Sequence, residues 1–96
     1  MKIAVLGAGV SGLTAARILK DKGYEVVLFE KNSNPGGLAR SRFTDGFLYD
    51  PHGGHILNSK HPEVMDWVFS ILPEDNWQFT QRNAKIYFGG KFISYP

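Results

Sequence analysis

The sequence predicts an α/β fold built on a parallel βαβ unit, and three observations carry that expectation. Ile3 to Leu6 is a short apolar run of β type, followed at once by Gly7, Gly9 and Gly12 in the spacing GxGxxG. A helical segment then leads into a second apolar run, Glu25 to Phe29. Glu30 ends that run, 18 residues past Gly12. Strand, glycine turn, helix, strand and acid in this order are the context that makes GxGxxG specific for a Rossmann-like dinucleotide-binding unit.

Each residue type in the stretch has a physical reason. Gly7 allows the tight turn off the first strand, where a Cβ would clash. Gly9 lets the backbone approach a diphosphate closely, and Gly12 lets the helix pack on the strands, helped by the small Ala15 and Ala16. The helix start, with Ala8, Val10 and Ser11 between the glycines, presents free N–H groups and a partial positive charge to phosphate. Glu30 can accept hydrogen bonds from both hydroxyls of an adenosine ribose. Its charge disfavours a 2′-phosphate there, an effect that Lys31 beside it softens.

The helix is expected over Val10 to Lys22, with Gly23 as its stop. The nearly continuous apolar run Glu25 to Phe29 suits a parallel strand covered on both faces. Asn32 to Gly37 (NSNPGG) is a dense turn cluster. Phe43 to Tyr49 forms a hairpin candidate around Asp45-Gly46. Asp50 to Asn58 is a glycine-rich loop. A second helix is expected over His61 to Leu72, with Pro62 at its first position and Val64, Val68, Ile71 and Leu72 on one face. Lys85 to Phe88 and Lys91 to Ser94 flank Gly89-Gly90, a two-residue hairpin signal. The whole reads as a Rossmann-like βαβ with appended β-hairpins and one further helix. Such a domain normally needs more strands, so residues 1–96 are expected to be the N-terminal part of a larger enzyme.

Composition narrows the function. Of 96 residues, 43% are hydrophobic, which suits a globular chain. Eleven basic and nine acidic residues leave a net charge of +2 with no basic run, so no nucleic-acid partner is expected. No cysteine is present, which removes disulfides, thiolate metal sites and a cysteine nucleophile. No metal is expected at His52 and His55, and no membrane span or leader is read from the four apolar residues before Gly7. The cytoplasm is the expected compartment.

Glu30 followed by Pro35-Gly36-Gly37-Leu38-Ala39 resembles the FAD-binding N-terminus of the flavin amine-oxidase superfamily. There a Gly-Gly pair after the ribose acid approaches the cofactor's phosphates, so the resemblance implies FAD rather than NAD. Within the superfamily, Gly46-Phe47-Leu48-Tyr49-Asp50 with Gly53-Gly54-His55-Ile56 is similar to the UDP-galactopyranose mutase family. Trp77, Gln81-Arg82 and Gly90 to Pro96 resemble that family's next segment. Arg40 and Arg42, which flank Ser41, depart from the small or hydroxyl residues expected there.

The resemblance implies an isomerase, active only with reduced FAD, that converts UDP-galactopyranose to UDP-galactofuranose for cell-surface polysaccharide synthesis. His55, on a loop made mobile by Gly53 and Gly54, and Arg82 are the implied catalytic residues. Gly7, Ala8, Gly9, Val10, Ser11, Gly12, Glu30, Lys31, Gly36, Gly37, Leu38, Gly53, Gly54 and His55 are the implied FAD-binding residues. The nucleotide sugar is the implied partner, and the 96-residue piece itself is expected to self-associate. Two alternatives stay open: an FAD-dependent oxidoreductase of the amine-oxidase or desaturase type, and a non-catalytic FAD-binding module. His55 as a loop histidine bonded to backbone and Arg82 as a surface arginine are the plainer readings of those two residues.

Overall fold

The structure, a computed structural model, describes residues 1–95; Pro96, part of the last segment named above, lies outside them. The chain divides into two compact units, Met1–Leu57 and Asn58–Pro96.

The first unit opens with β1 (Lys2–Leu6), α1 (Val10–Asp21) and β2 (Glu25–Phe29). β1 and β2 pair in parallel, with Ile3 opposite Val26 and Val5 opposite Leu28. Those four residues share the half-buried face of the sheet, against which α1 packs. On α1 the half-buried Gly12, Ala16 and Leu19 fall at the i, i+4, i+7 spacing of one helix face. Ala15, expected to help, is exposed instead. α1 ends one residue earlier than expected, with the Gly23 N–H bonded to Lys20 C=O at 2.9 Å.

β3 (Arg42–Thr44) and β4 (Phe47–Tyr49) form the antiparallel hairpin expected around Asp45-Gly46. Both turn residues have positive φ, 52° and 84°, as a two-residue turn matched to the strand twist requires. In the second unit, α2 (Pro62–Ile71) starts at Pro62 with His61 as its N-cap. β5 (Lys85–Phe88) and β6 (Lys91–Ser94) make the second hairpin, turning at Gly89 and Gly90.

Two expectations are corrected. The first concerns burial: β2 is not covered on both faces. Among the described residues only Ala8 is fully buried, at 1% exposure, and Leu6 on the far side of β1 is 81% exposed. One helix on a two-stranded sheet shields one face and leaves the other open. The second concerns α2, whose half-buried residues are Met65, Trp67, Val68 and Phe69 rather than Val64, Ile71 and Leu72. At Phe69 the cover is Trp77, which folds back on the helix. Its indole Nε1–H donates to Leu72 C=O at 3.0 Å, and its ring meets Phe69 edge to face at 6.1 Å.

Candidate functional site

The site forms where the β1–α1 turn meets the loop after β2. Gly9 is the N-cap of α1, with extended backbone and no side-chain cap on the helix. The first intrahelical bond runs from Leu13 N–H to Gly9 C=O at 2.9 Å. The amides of Val10, Ser11 and Gly12 therefore precede the helical ladder, and no acidic residue lies in the first turn. A helix end of this kind accepts an anion.

The three glycines of the turn meet three different constraints. At Gly7 the expected clash is corrected: a Cβ would meet nothing within 4 Å, and it is the φ of +95° that calls for glycine. Gly9 has an ordinary φ of −74°, and a Cβ there would meet nothing within 4 Å. A Cβ on Gly12 would overlap the Gly7 carbonyl oxygen and lie 3.0 Å from its carbon. Gly12 is thus a packing glycine, whereas Gly9 keeps a surface clear.

The second glycine pair closes onto the first turn. Gly36 N–H donates to Ala8 C=O at 2.7 Å, and a Cβ on Gly37 would stand 3.0 Å from Gly9 Cα. Gly36 starts a short 3₁₀ turn over Gly37–Ala39. One pocket of about 630 Å³ results, with Gly7, Gly9, Val10, Ser11, Gly12, Gly36, Gly37 and Leu38 in its wall. His55 lines it as well, and so do Leu6, Ala39 and His52, which the sequence did not single out as site residues.

Glu30 is bonded on both carboxylate oxygens. Oε2 accepts from Ala8 N–H at 2.7 Å, and Oε1 from Asn32 N–H and Nδ2, each at 2.9 Å. The Asn32 N–H, then the Ala8 N–H, hold its carboxyl below the ordinary carboxylate value, because both favour the charged form. Oε2 keeps a lone pair for a further donor, whereas Oε1 already accepts two bonds. Asn32 and its contact with Glu30 escaped the sequence reading, since an Asn in a turn cluster reads as turn chemistry alone.

Of the expected site residues, nine line this pocket, while Ala8 lies beneath it and Glu30 is joined to it through Ala8. Lys31, Gly53 and Gly54 are not among its walls. Asp50 accepts from the Ser41 hydroxyl, and its C=O accepts from Gly53 N–H at 3.2 Å, so it acts as a cap of the histidine loop. Arg82 belongs to the second unit, where its guanidinium lies 5.4 Å from the Tyr95 ring centre. Among the described residues, no group of three or more His, Cys, Asp or Glu could hold a metal ion, and no helix is long and apolar enough to cross a membrane.

Residues 5–70 match the NAD(P)-binding Rossmann-like domain. Over 71 residues, 74% of this chain, the sequence is 54% identical to a 4,4′-diapophytoene desaturase (4,4′-diaponeurosporene-forming) of Staphylococcus aureus strain MRSA252. The desaturase of strain COL is also 54% identical, over 50 residues. Among solved structures, a crystal structure of reduced UDP-galactopyranose mutase matches 99% of the chain with a TM-score of 0.71 and 37% identity. The matches span 14% of the MRSA252 desaturase and 20% of the mutase chain.

Proposed function

The chain belongs to the NAD(P)-binding Rossmann-like domain family, and on that premise we propose that its first unit binds FAD within a larger flavoenzyme. The observation that carries this reading is the apposition of the two glycine clusters, with Gly37 packed on Gly9 beside the uncapped start of α1. A single GxGxxG serves any dinucleotide. The second glycine pair, brought onto the first, is the feature that favours a flavin dinucleotide.

The residues fit that group. Gly9 presents no side chain to the pocket, so the backbone can lie against a diphosphate. The amides of Val10, Ser11 and Gly12 donate to its oxygens. Glu30, held ionised by Ala8 and Asn32, accepts from ribose hydroxyls. Lys31 adds a positive charge beside it, while Gly36, Gly37 and Leu38 close the wall. FAD, when bound, supplies the redox or covalent chemistry. The chain's own residues bind it, orient it and exclude water.

For the whole protein, the finer reading is a UDP-galactopyranose mutase-like isomerase with a nucleotide sugar as substrate, working in the cytoplasm. Its support is the likeness over 99% of this chain. On this reading His55, at the pocket wall, positions the reacting end of the cofactor. Gly53 and Gly54 let its loop move, and Arg82 supplies a cation near the reduced flavin. Residues 1–96 are then the N-terminal part of the FAD-binding domain. A second reading rests on the 54% identity to the desaturase, and makes the whole protein an FAD-dependent oxidoreductase that acts on a polyene.

One experiment separates them. The whole protein is incubated with UDP-galactofuranose, with and without dithionite, and in parallel with a polyene and an electron acceptor. Turnover of the sugar nucleotide only after reduction is the expected result. Acceptor-dependent oxidation of the polyene would establish the desaturase reading. FAD binding with neither activity would leave a binding module.

A further inference from the structure

A second pocket of the first unit, about 730 Å³, has a different chemistry from the glycine pocket. It lies between the Asn32-to-Pro35 loop and the start of β3, and no carboxylate lines it. Two guanidinium groups do, those of Arg40 and Arg42. Among the described residues neither forms an ion pair. Arg40 Nε is shut off from solvent and has no hydrogen-bond partner. Buried N–H donors are almost always satisfied, so an orphaned one on a residue that lines a polar pocket is a donor lacking its acceptor.

The placement of these groups is built in. A Cβ on Gly36 would stand 3.3 Å from Arg40 Cβ, so glycine at 36 clears the room in which the arginine stem sits. Ser41, between the two arginines, bonds to Asp50, so the neighbouring carboxylate is engaged by a hydroxyl and not by a guanidinium. Asn32, which also lines the pocket, gives its amide Nδ2–H to Glu30 and receives no hydrogen bond from Arg40 or Arg42. The two forks are left as the pocket's cationic donors. An arginine fork matches the oxygens of a phosphate in a bidentate way, which a lysine does not.

We propose that Arg40 and Arg42 form a subsite for a phosphate dianion, separate from the glycine pocket. The dianion can be free orthophosphate or the 2′-phosphate of a dinucleotide. Both place the same three oxygens in the pocket, and the subsite does not depend on which cofactor fills the glycine pocket.

The test uses the whole protein with its cofactor in place. Binding of inorganic phosphate, NADP⁺ and NAD⁺ is measured by calorimetry for the native protein and for Arg40→Gln/Arg42→Gln. Saturable phosphate binding, weakened at least about tenfold in the double variant, is the expected result. NADP⁺ binding more tightly than NAD⁺, with that preference lost in the variant, assigns the dianion to a dinucleotide. Equal affinity for the two, with phosphate still bound, assigns it to a free phosphate. No binding of phosphate or NADP⁺, or binding unchanged in the variant, overturns the proposal. Should the double variant fail to fold, phenylglyoxal modification of the native protein decides. Phosphate should shield Arg40 and Arg42 but not Arg17, and equal labelling with and without phosphate overturns the subsite.

Discussion

Replacing Gly9 and Gly12 by alanine, one at a time, should produce two different defects. At Gly12 the new Cβ would overlap the Gly7 carbonyl oxygen and stand 3.0 Å from its carbon. Those are backbone atoms, so no side chain can swing aside. Either α1 moves away from the turn or the Gly7 carbonyl rotates. Inserting one methyl into a packed contact costs about 1–3 kcal/mol. The higher helix propensity of alanine returns about 0.5–1 kcal/mol. The net is a loss of about 1–2 kcal/mol for Gly12→Ala. At Gly9 the same methyl meets nothing within 4 Å, and the φ of −74° suits alanine. Gly9→Ala should keep native stability, yet its methyl points into the space a diphosphate would take. Thermal unfolding and FAD titration of the whole protein, run on both variants, make the comparison. Gly12→Ala should lower the melting temperature, and Gly9→Ala should weaken FAD binding with the melt unmoved. Equal stability of the Gly12 variant would refute the packing role. Full FAD affinity in the Gly9 variant would remove that turn from the diphosphate site.

Glu30→Gln should weaken FAD binding by about tenfold or more, read by flavin titration, because the charge that strengthens its hydrogen bonds is lost. Unchanged affinity would take Glu30 out of the site. The Glu30 carboxyl is held below its ordinary value when folded, so its contribution is complete above the ordinary carboxylate range and is lost as pH falls through the depressed value. An acid titration of native protein against Glu30→Gln should therefore differ in slope between the ordinary carboxylate value and the depressed one, and not above or below that window. On the mutase reading, His55→Ala should lower turnover of UDP-galactofuranose by the reduced whole protein about 10²-fold with FAD occupancy unchanged by absorbance. Activity lost in step with flavin would make His55 a retention residue. The 96-residue chain by itself should self-associate in light scattering at high concentration, since Phe47 and Phe88 are 75% and 74% exposed and, among the described residues, Ala8 alone is buried. A clean monomer with a cooperative melt would sink that expectation.

What could be read directly from the residues is what short-range physics decides. The parallel βαβ order follows from two apolar runs on either side of a glycine turn and an amphipathic segment, and β1, α1 and β2 stand within a residue or so of their expected bounds. Both hairpins were legible because Asp45-Gly46 and Gly89-Gly90 can take the positive φ angles their turns demand. His61-Pro62 marked the start of α2 through proline's missing N–H. These signals reach only a few residues along the chain.

The folded chain alone decided how distant segments meet. Gly36 and Gly9 are far apart in sequence, and only folding sets the Gly36–Ala8 hydrogen bond and packs Gly37 against Gly9. The Glu30 carboxylate reaches back 22 residues to the Ala8 N–H, which ties the acid after β2 to the glycine turn. His52 enters the pocket wall through the path of a loop that has no periodicity to read. Arg40 and Arg42 stood out in the sequence as departures from a family pattern. That both line one pocket, with no ion pair among the described residues, is visible only in the folded chain. In α2 the periodic face was misjudged, and at Phe69 the cover is Trp77, from beyond the helix. Such contacts depend on where the backbone brings side chains together, and that is fixed by the sum of all the packing rather than by any one segment.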